Sequence, residues 1–236
     1  MTFEVVVVGG GPVGLLLGTR LTRLGIDCLV LEAAERATGS RAIGIHPPSL
    51  AMLEALGVLE GFLREGVRIE RAHAFTTRHK LGAVDLRRAG DRFGFVLSLP
   101  QERTEALLER ALGARLLRGE KVCDLRPHAS SGIDVVAESG RAFTARWVIG
   151  CDGGRSLVAA SMGATLSGMR SRRTYAMGDF DDHSRFGTDA AIFLADEGLV
   201  ESFPLPHGRR RWVIEVLGRC AAPRADEIAE TVQRRS

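Results

Sequence analysis

The sequence is most telling at first for what it lacks. Its four cysteines, Cys28, Cys123, Cys151 and Cys220, form no metal-type pair, and none of the six histidines is spaced to complete a zinc site, so no metal is expected. Cys28 and Cys151 stand in apolar strand contexts and read as inert core thiols, which suits a reducing cytoplasm. The longest apolar stretch is interrupted by Gly9 to Gly11 and Pro12, so no membrane span is expected. No basic leader precedes the first strand, and a signal peptide is not expected either. Neither sign of charge dominates: a formal net charge of +3 is a mild excess that does not argue for nucleic acid. There is no internal repeat and no low-complexity tract. Two small arginine clusters, Arg170, Arg172, Arg173 and Arg209, Arg210, Arg211, read as solvated faces, with an anionic ligand as the alternative.

What is present begins at once. Val5 to Val8 is a β-branched run suited to a strand buried on both faces. It empties into Gly9-x-Gly11-x-x-Gly14. The first glycine allows a tight turn, the second lets backbone approach a pyrophosphate, and the third lets a helix pack close on the sheet. Pro12 and Val13 then open a helix, where a missing N–H costs little. The free N–H groups of that turn, with the helix dipole, make an anion site. Leu15, Leu16, Leu17, Leu21 and Leu24 supply an apolar face, and Gly25 ends the helix. A second strand, Ile26 to Leu31, delivers Glu32, 18 residues beyond Gly14. That is close to the spacing of about 20 expected for an acid that holds a ribose hydroxyl pair. Such an acid argues against a 2′-phosphate. The unit therefore holds NAD or the adenosine half of FAD, and by itself does not say which.

The remaining pattern fills one large domain or two small ones, as expected for 236 residues that are 45% hydrophobic and 26% charged. Ser49 reads as the N-cap of a helix carrying Leu50, Leu53 and Leu56. Strands are expected at Val67 to Phe75, Leu81 to Leu86 and Phe93 to Leu97, and a helix from Pro100. Two further strands, Gly132 to Ala137 and Ala142 to Ile149, lead into Asp152-Gly153 and another helix start, a second ligand-facing turn. Beyond Gly163, strands at Tyr175 to Phe180, Ala190 to Leu194, Leu199 to Pro204 and Arg211 to Leu217 suggest a mostly antiparallel sheet, followed by an amphipathic helix over Pro223 to Arg235.

Three segments together resemble the single-component FAD-dependent aromatic hydroxylases, the para-hydroxybenzoate hydroxylase-like monooxygenases. They are Val8-Gly-Gly-Gly-Pro-Val-Gly14 with Glu32; Ser40-Arg-Ala-Ile-Gly-Ile-His-Pro47 with Leu99-Pro-Gln-Glu-Arg-Thr-Glu105; and Gly150-Cys-Asp-Gly-Gly-Arg-Ser156. Phe203-Pro-Leu-Pro and Arg211-Trp-Val-Ile extend the likeness. The resemblance implies a glutathione-reductase-like, Rossmann-type FAD domain (residues 1–70 and 98–165) interleaved with a substrate-side, mostly antiparallel sheet (71–97 and 166–236). It implies FAD on Gly9, Gly11, Pro12, Val13, Gly14, Glu32 and Ala33, with Arg41 and Gln101 toward the flavin and Asp152 and Gly153 handling FAD and NAD(P)H. Arg41 is a permanent cation able to face phosphate, and Gln101 offers donor and acceptor together.

The implied activity is hydroxylation of a small aromatic or polyketide-like substrate with NADH or NADPH and O2. No catalytic base is assigned; His46, His73 and His183 are candidates by residue type alone. The chain departs from the family at Ala159 and Pro48, where relatives carry arginine, and it shows neither the family's later Gly-Asp motif nor the tryptophan motif of halogenases. Two rivals follow. One is a truncated or split, non-catalytic FAD-binding form that needs an oligomer or a complementing chain. The other is a flavoprotein reductase or NAD-dependent dehydrogenase on a similar first unit, which the Arg41, Gln101 and Asp152 constellation disfavours.

Overall fold

A computed structural model describes residues 1–35, 42–88, 92–129, 131–165, 167–168, 173–217 and 223–236. The chain opens with β1 (Thr2–Val8), α1 (Pro12–Arg23), β2 (Cys28–Glu32), β3 (Gly44–Ile45), α2 (Pro47–Ala55) and α3 (Leu59–Glu65). It continues through β4 (Val67–Ile69), β5 (Arg71–Thr76), β6 (Lys80–Asp85), β7 (Val96–Ser98) and α4 (Gln101–Leu112). Four strands follow, β8 (Leu116–Arg118), β9 (Val122–Pro127), β10 (Ile133–Ala137) and β11 (Ala142–Gly150), then α5 (Leu157–Ser161). The last elements are β12 (Arg173–Asp181), β13 (Ala190–Ala195), β14 (Gly198–Leu205), β15 (Arg209–Leu217) and α6 (Ala225–Arg235).

These elements form two compact units, each built from discontinuous segments. The first comprises Met1–Arg41, Ala55–Val58 and Gln101–Ser167. Its sheet runs β8-β2-β1-β11-β10-β9, with β8, β2, β1 and β11 mutually parallel and β10 and β9 added as an antiparallel edge. Val5 to Val8 are all buried, as a central strand covered on both faces requires. Val6, Val8, Leu29, Leu31, Phe143 and Val158 share one core cluster. Each such side chain contributes roughly 1.5–3 kcal/mol on burial. α1 packs against α4, with Gly18 of α1 lying against Leu112 of α4 and Val30 of β2.

The second unit comprises Ala42–Glu54, Leu59–Pro100 and Gly168–Ser236. Its large sheet has the order β12-β15-β14-β13-β5-β6, antiparallel except where β13 runs parallel to β5. A small sheet, β3-β7-β4, lies in the same unit. One face of the large sheet, carrying Phe193, Val200, Ile214 and Trp212, is covered by Ile228 and Val232 of α6. The molecule is thus a mixed α/β protein with a Rossmann-like first unit.

Several expectations are corrected. The helix after His46 begins at Pro47, two residues before Ser49, because prolines suit a first turn and the His46 carbonyl accepts the amides of Ser49 and Leu50. Ser49 is therefore inside the helix rather than its cap. β2 starts at Cys28 instead of Ile26, and helix α3 and strands β8 and β9 were not foreseen. Arg210 and Arg211 do not form a solvated face. Both are buried on opposite faces of β15, Arg210 with Asp182 and Ser202, Arg211 with both carboxylate oxygens of Asp179. Arg173 pairs with Glu215, while Arg170, Arg172 and Cys220 lie outside the described residues.

Candidate functional site

The tip of β1 is pinned between its neighbours. The Gly9 amide donates to the Leu31 carbonyl at 2.8 Å, and the Cys151 amide donates to the Val8 carbonyl at 2.7 Å. Gly9 has φ +107°, and a Cβ there would sit 2.4 Å from the Cys151 carbonyl oxygen. Both facts restrict the position to glycine. A Cβ on Gly14 would fall 1.9 Å from the Gly9 carbonyl, so the start of α1 touches the turn it springs from.

Gly11 differs. A Cβ there would meet nothing within 4 Å, so the protein's own packing gives no reason for glycine at this position. α1 begins immediately beyond it, with Pro12 at its start and no side chain capping its amides. Uncapped first-turn N–H groups and the positive end of the helix dipole favour an anion in that open space.

Glu32 ends β2 beside this mouth. One carboxylate oxygen accepts the Gly10 amide at 2.6 Å, and the other accepts the Ala34 amide at 2.8 Å. The acid therefore straps the glycine turn to the end of β2. A carboxylate has about four lone-pair sites, so acceptor capacity is left for a ligand's hydroxyl groups. Together Val8, Gly9, Gly11, Leu31, Glu32 and Ala33 line part of a 580 Å³ cleft. The lining continues with Lys121, Val122 and Cys123 near the start of β9 and with Cys151, Asp152 and Gly153 after β11. The volume lies within the roughly 300–1,000 Å³ usual for small-molecule sites. The position, outside the carboxyl ends of parallel strands, is where open α/β sheets hold ligands.

Beside Gly9, Asp152 supports the start of α5, whose N-cap is Ser156. Its Oδ1 accepts the Ser156 hydroxyl at 2.5 Å and its Oδ2 accepts the Leu157 amide at 2.6 Å. Burial pushes the Asp152 carboxyl up, but the bonds from Ser156 and from the Val158 and Leu157 amides outweigh it, and the net pKa is lowered from 3.8. The adjacent Cys151 thiol is pushed up by burial, with Asp152 adding to the effect. Lys121 is raised by its hydrogen bond to Glu138. Gly153, with φ +78°, faces open space.

Of the residues expected at the site, Gly9, Gly11, Glu32, Ala33, Asp152 and Gly153 line this one cleft, with Pro12, Val13 and Gly14 in the helical turn at its edge. Gln101 opens α4 and donates to Glu105 at 2.8 Å; it is not among the cleft's lining residues. Arg41 lies outside the described residues. The wall from Lys121 to Cys123 was missed with its strand. Among the described residues no set of three His, Cys, Asp or Glu side chains gathers to hold a metal, and no helix is long and apolar enough to cross a membrane.

Known proteins share this architecture. A rifampicin monooxygenase of Streptomyces venezuelae is 33% identical over 98% of this chain and 50% of its own length. An uncharacterized aromatic compound monooxygenase of Bacillus subtilis, YhjG, is 30% identical over 98% of this chain and 47% of its own. The chain thus spans about half the length of the curated relatives it matches. The crystal structure of p-nitrophenol 4-monooxygenase PnpA from Pseudomonas putida shares the fold, with a TM-score of 0.83 at 24% identity over 99% of this chain and 62% of that one. The family model described as "FAD binding domain" matches residues 2–231. The chain belongs to that FAD-binding domain family.

Proposed function

We propose that this chain is the flavin-holding and substrate-sheet portion of a monooxygenase that uses NADH or NADPH and O2 to hydroxylate a small aromatic or polyketide-like substrate. The observation that carries the reading is the open mouth at Gly11, flanked by an uncapped helix and by Glu32. A diphosphate suits that place because, among the described residues, no atom lies within 4 Å of where a Cβ on Gly11 would stand.

In this reading Gly9 and Gly11, with Pro12, Val13 and Gly14, hold the FAD diphosphate. Glu32 accepts from the adenosine ribose and Ala33 packs beside it. Asp152 and Gly153 line the same cleft, with Asp152 kept anionic and fixed in place by Ser156 and Leu157. Arg41 and Gln101 are assigned to the flavin side by resemblance. The first unit is the FAD domain and the second presents the substrate sheet. FAD, when bound, supplies hydride acceptance from the nicotinamide and activation of oxygen; the protein's part is to bind, orient and exclude water. The free thiols Cys28, Cys123 and Cys151 suit a reducing cytoplasm.

The test is reconstitution with FAD followed by NADPH and NADH oxidation with and without a phenolic compound. Flavin bound in a one-to-one ratio, oxidation stimulated by the phenol, and a product heavier by one oxygen are expected. Flavin bound but never reduced at saturating NADPH and NADH would point to the non-catalytic form, and no flavin bound at all would contradict the reading.

A further inference from the structure

Among the described residues of the second unit, Glu201 is the partly buried carboxylate that no side chain or backbone amide of the fold engages. Glu201 is the fourth residue of β14, and the cross-strand register sets its neighbours. Val213 on β15 lies opposite it on one side and Ile192 on β13 on the other. Beyond them the same row continues to Met177 on β12 and Ala74 on β5. Along its own strand, Leu199 and Phe203 point to the same face. Glu201 therefore stands in the middle of an apolar floor five strands wide. It is partly buried, and burial alone pushes its carboxyl pKa up.

Among the described residues, no hydrogen bond or ion pair meets the Glu201 carboxylate. The described arginines on this face are engaged elsewhere: Arg211 with the Asp179 carboxylate, Arg209 with the Asp179 carbonyl, Arg173 with Glu215. α6 covers the opposite face, while on the Glu201 face Tyr175, Met177, Leu194 and Val84 are exposed at 46%, 36%, 50% and 59%. A half-desolvated acid without a partner lowers stability, so its presence in an otherwise apolar row of this face points to a partner brought by a ligand. A flat apolar floor suits a planar ring. With no uncommitted cation beside it among the described residues, the carboxylate repels an anionic ligand and favours one that donates a hydrogen bond.

We propose that this face of the large sheet binds an aromatic ring bearing a hydroxyl group, and that Glu201 selects it by accepting the hydroxyl hydrogen. The assignment rests on the monooxygenase reading above and adds the residue that determines specificity. The bond orients the ring and shifts electron density from the hydroxyl into it, which makes the ring a better nucleophile toward an electrophilic oxygen.

The test compares 2-naphthol with 2-methoxynaphthalene, which differs in lacking the donor hydrogen. Calorimetric titration of each into the FAD-loaded chain reads their affinities, and flavin absorbance in a separate titration reads FAD binding. Wild type should bind 2-naphthol at least about tenfold more tightly, the discrimination expected of a hydrogen bond to a charged group. In Glu201→Leu the two ligands should bind within about twofold of each other, with FAD affinity unchanged and a thermal midpoint at or above that of wild type. The midpoint shows that the variant is folded. The assignment is overturned if wild type binds neither ligand or both alike, if Glu201→Leu keeps the preference, or if sedimentation shows this face buried in a dimer that the variant disrupts. Failure of FAD to bind overturns the functional reading instead and is seen on its own signal.

Discussion

Two groups of acids are committed differently, those at the cleft of the first unit and those on the large sheet of the second. In the first, Glu32 and Asp152 are held by backbone amides: Gly10 and Ala34 for one, Leu157 and Val158 for the other. In the second, Asp182 is tied to Arg210 and Asp179 to Arg211, and Glu201 has no such tie among the described residues. Amide-held acids fix the shape of loops around a cleft while keeping some lone pairs for a ligand. Arginine-held acids are internal ties within a sheet. An acid with neither partner has to be explained by something outside the fold.

The largest effect expected of this contrast falls on the arginine ties. Arg210 is fully buried, and Arg210→Ala leaves Asp182 without its ion pair. Denaturant unfolding should show a loss of about 3–5 kcal/mol, the range for breaking one side of a buried pair. A loss under 1 kcal/mol would mean that water replaces the guanidinium and that the tie is not internal.

A smaller effect is expected for the amide-held acids. Asp152→Ala removes the acceptor of the Ser156 hydroxyl and of the first amides of α5, and should cost about 1 kcal/mol. The sign of its pH dependence follows from the lowered pKa. The stabilisation is fully present above the unfolded carboxyl value near 3.9 and is lost as pH falls through the lower folded value. The stability gap between wild type and Asp152→Ala should therefore narrow below about pH 4. A gap independent of pH would assign the effect to the loop rather than to the charge.

The same contrast explains how much was legible in the sequence. The β1-α1-β2 unit was readable because each feature is local: a β-branched run, glycines at fixed spacing, and an acid closing the next strand. Their spatial meeting at one cleft follows from chain order alone. Strands β8 and β9 were not readable. One has three residues, and the other carries Asp124 and Arg126 on an exposed edge, so neither shows a clear apolar period. The burial of Arg210 and Arg211 was misread because their partners lie about 30 residues away in the chain. Glu201 was passed over for the opposite reason. Period-two alternation places it beside Leu199 and Phe203, but only the assembled sheet shows that no cation reaches it.

The central claim is that the open mouth at Gly11 takes the diphosphate of FAD, and Gly11→Glu tests it most directly. The position faces empty space, so the variant should fold with an unchanged thermal midpoint. Equilibrium titration followed by flavin absorbance should then show FAD affinity reduced by at least about 100-fold, because the new carboxylate occupies the anion's place at the helix N-terminus. A folded Gly11→Glu protein that binds FAD as wild type does would contradict the account.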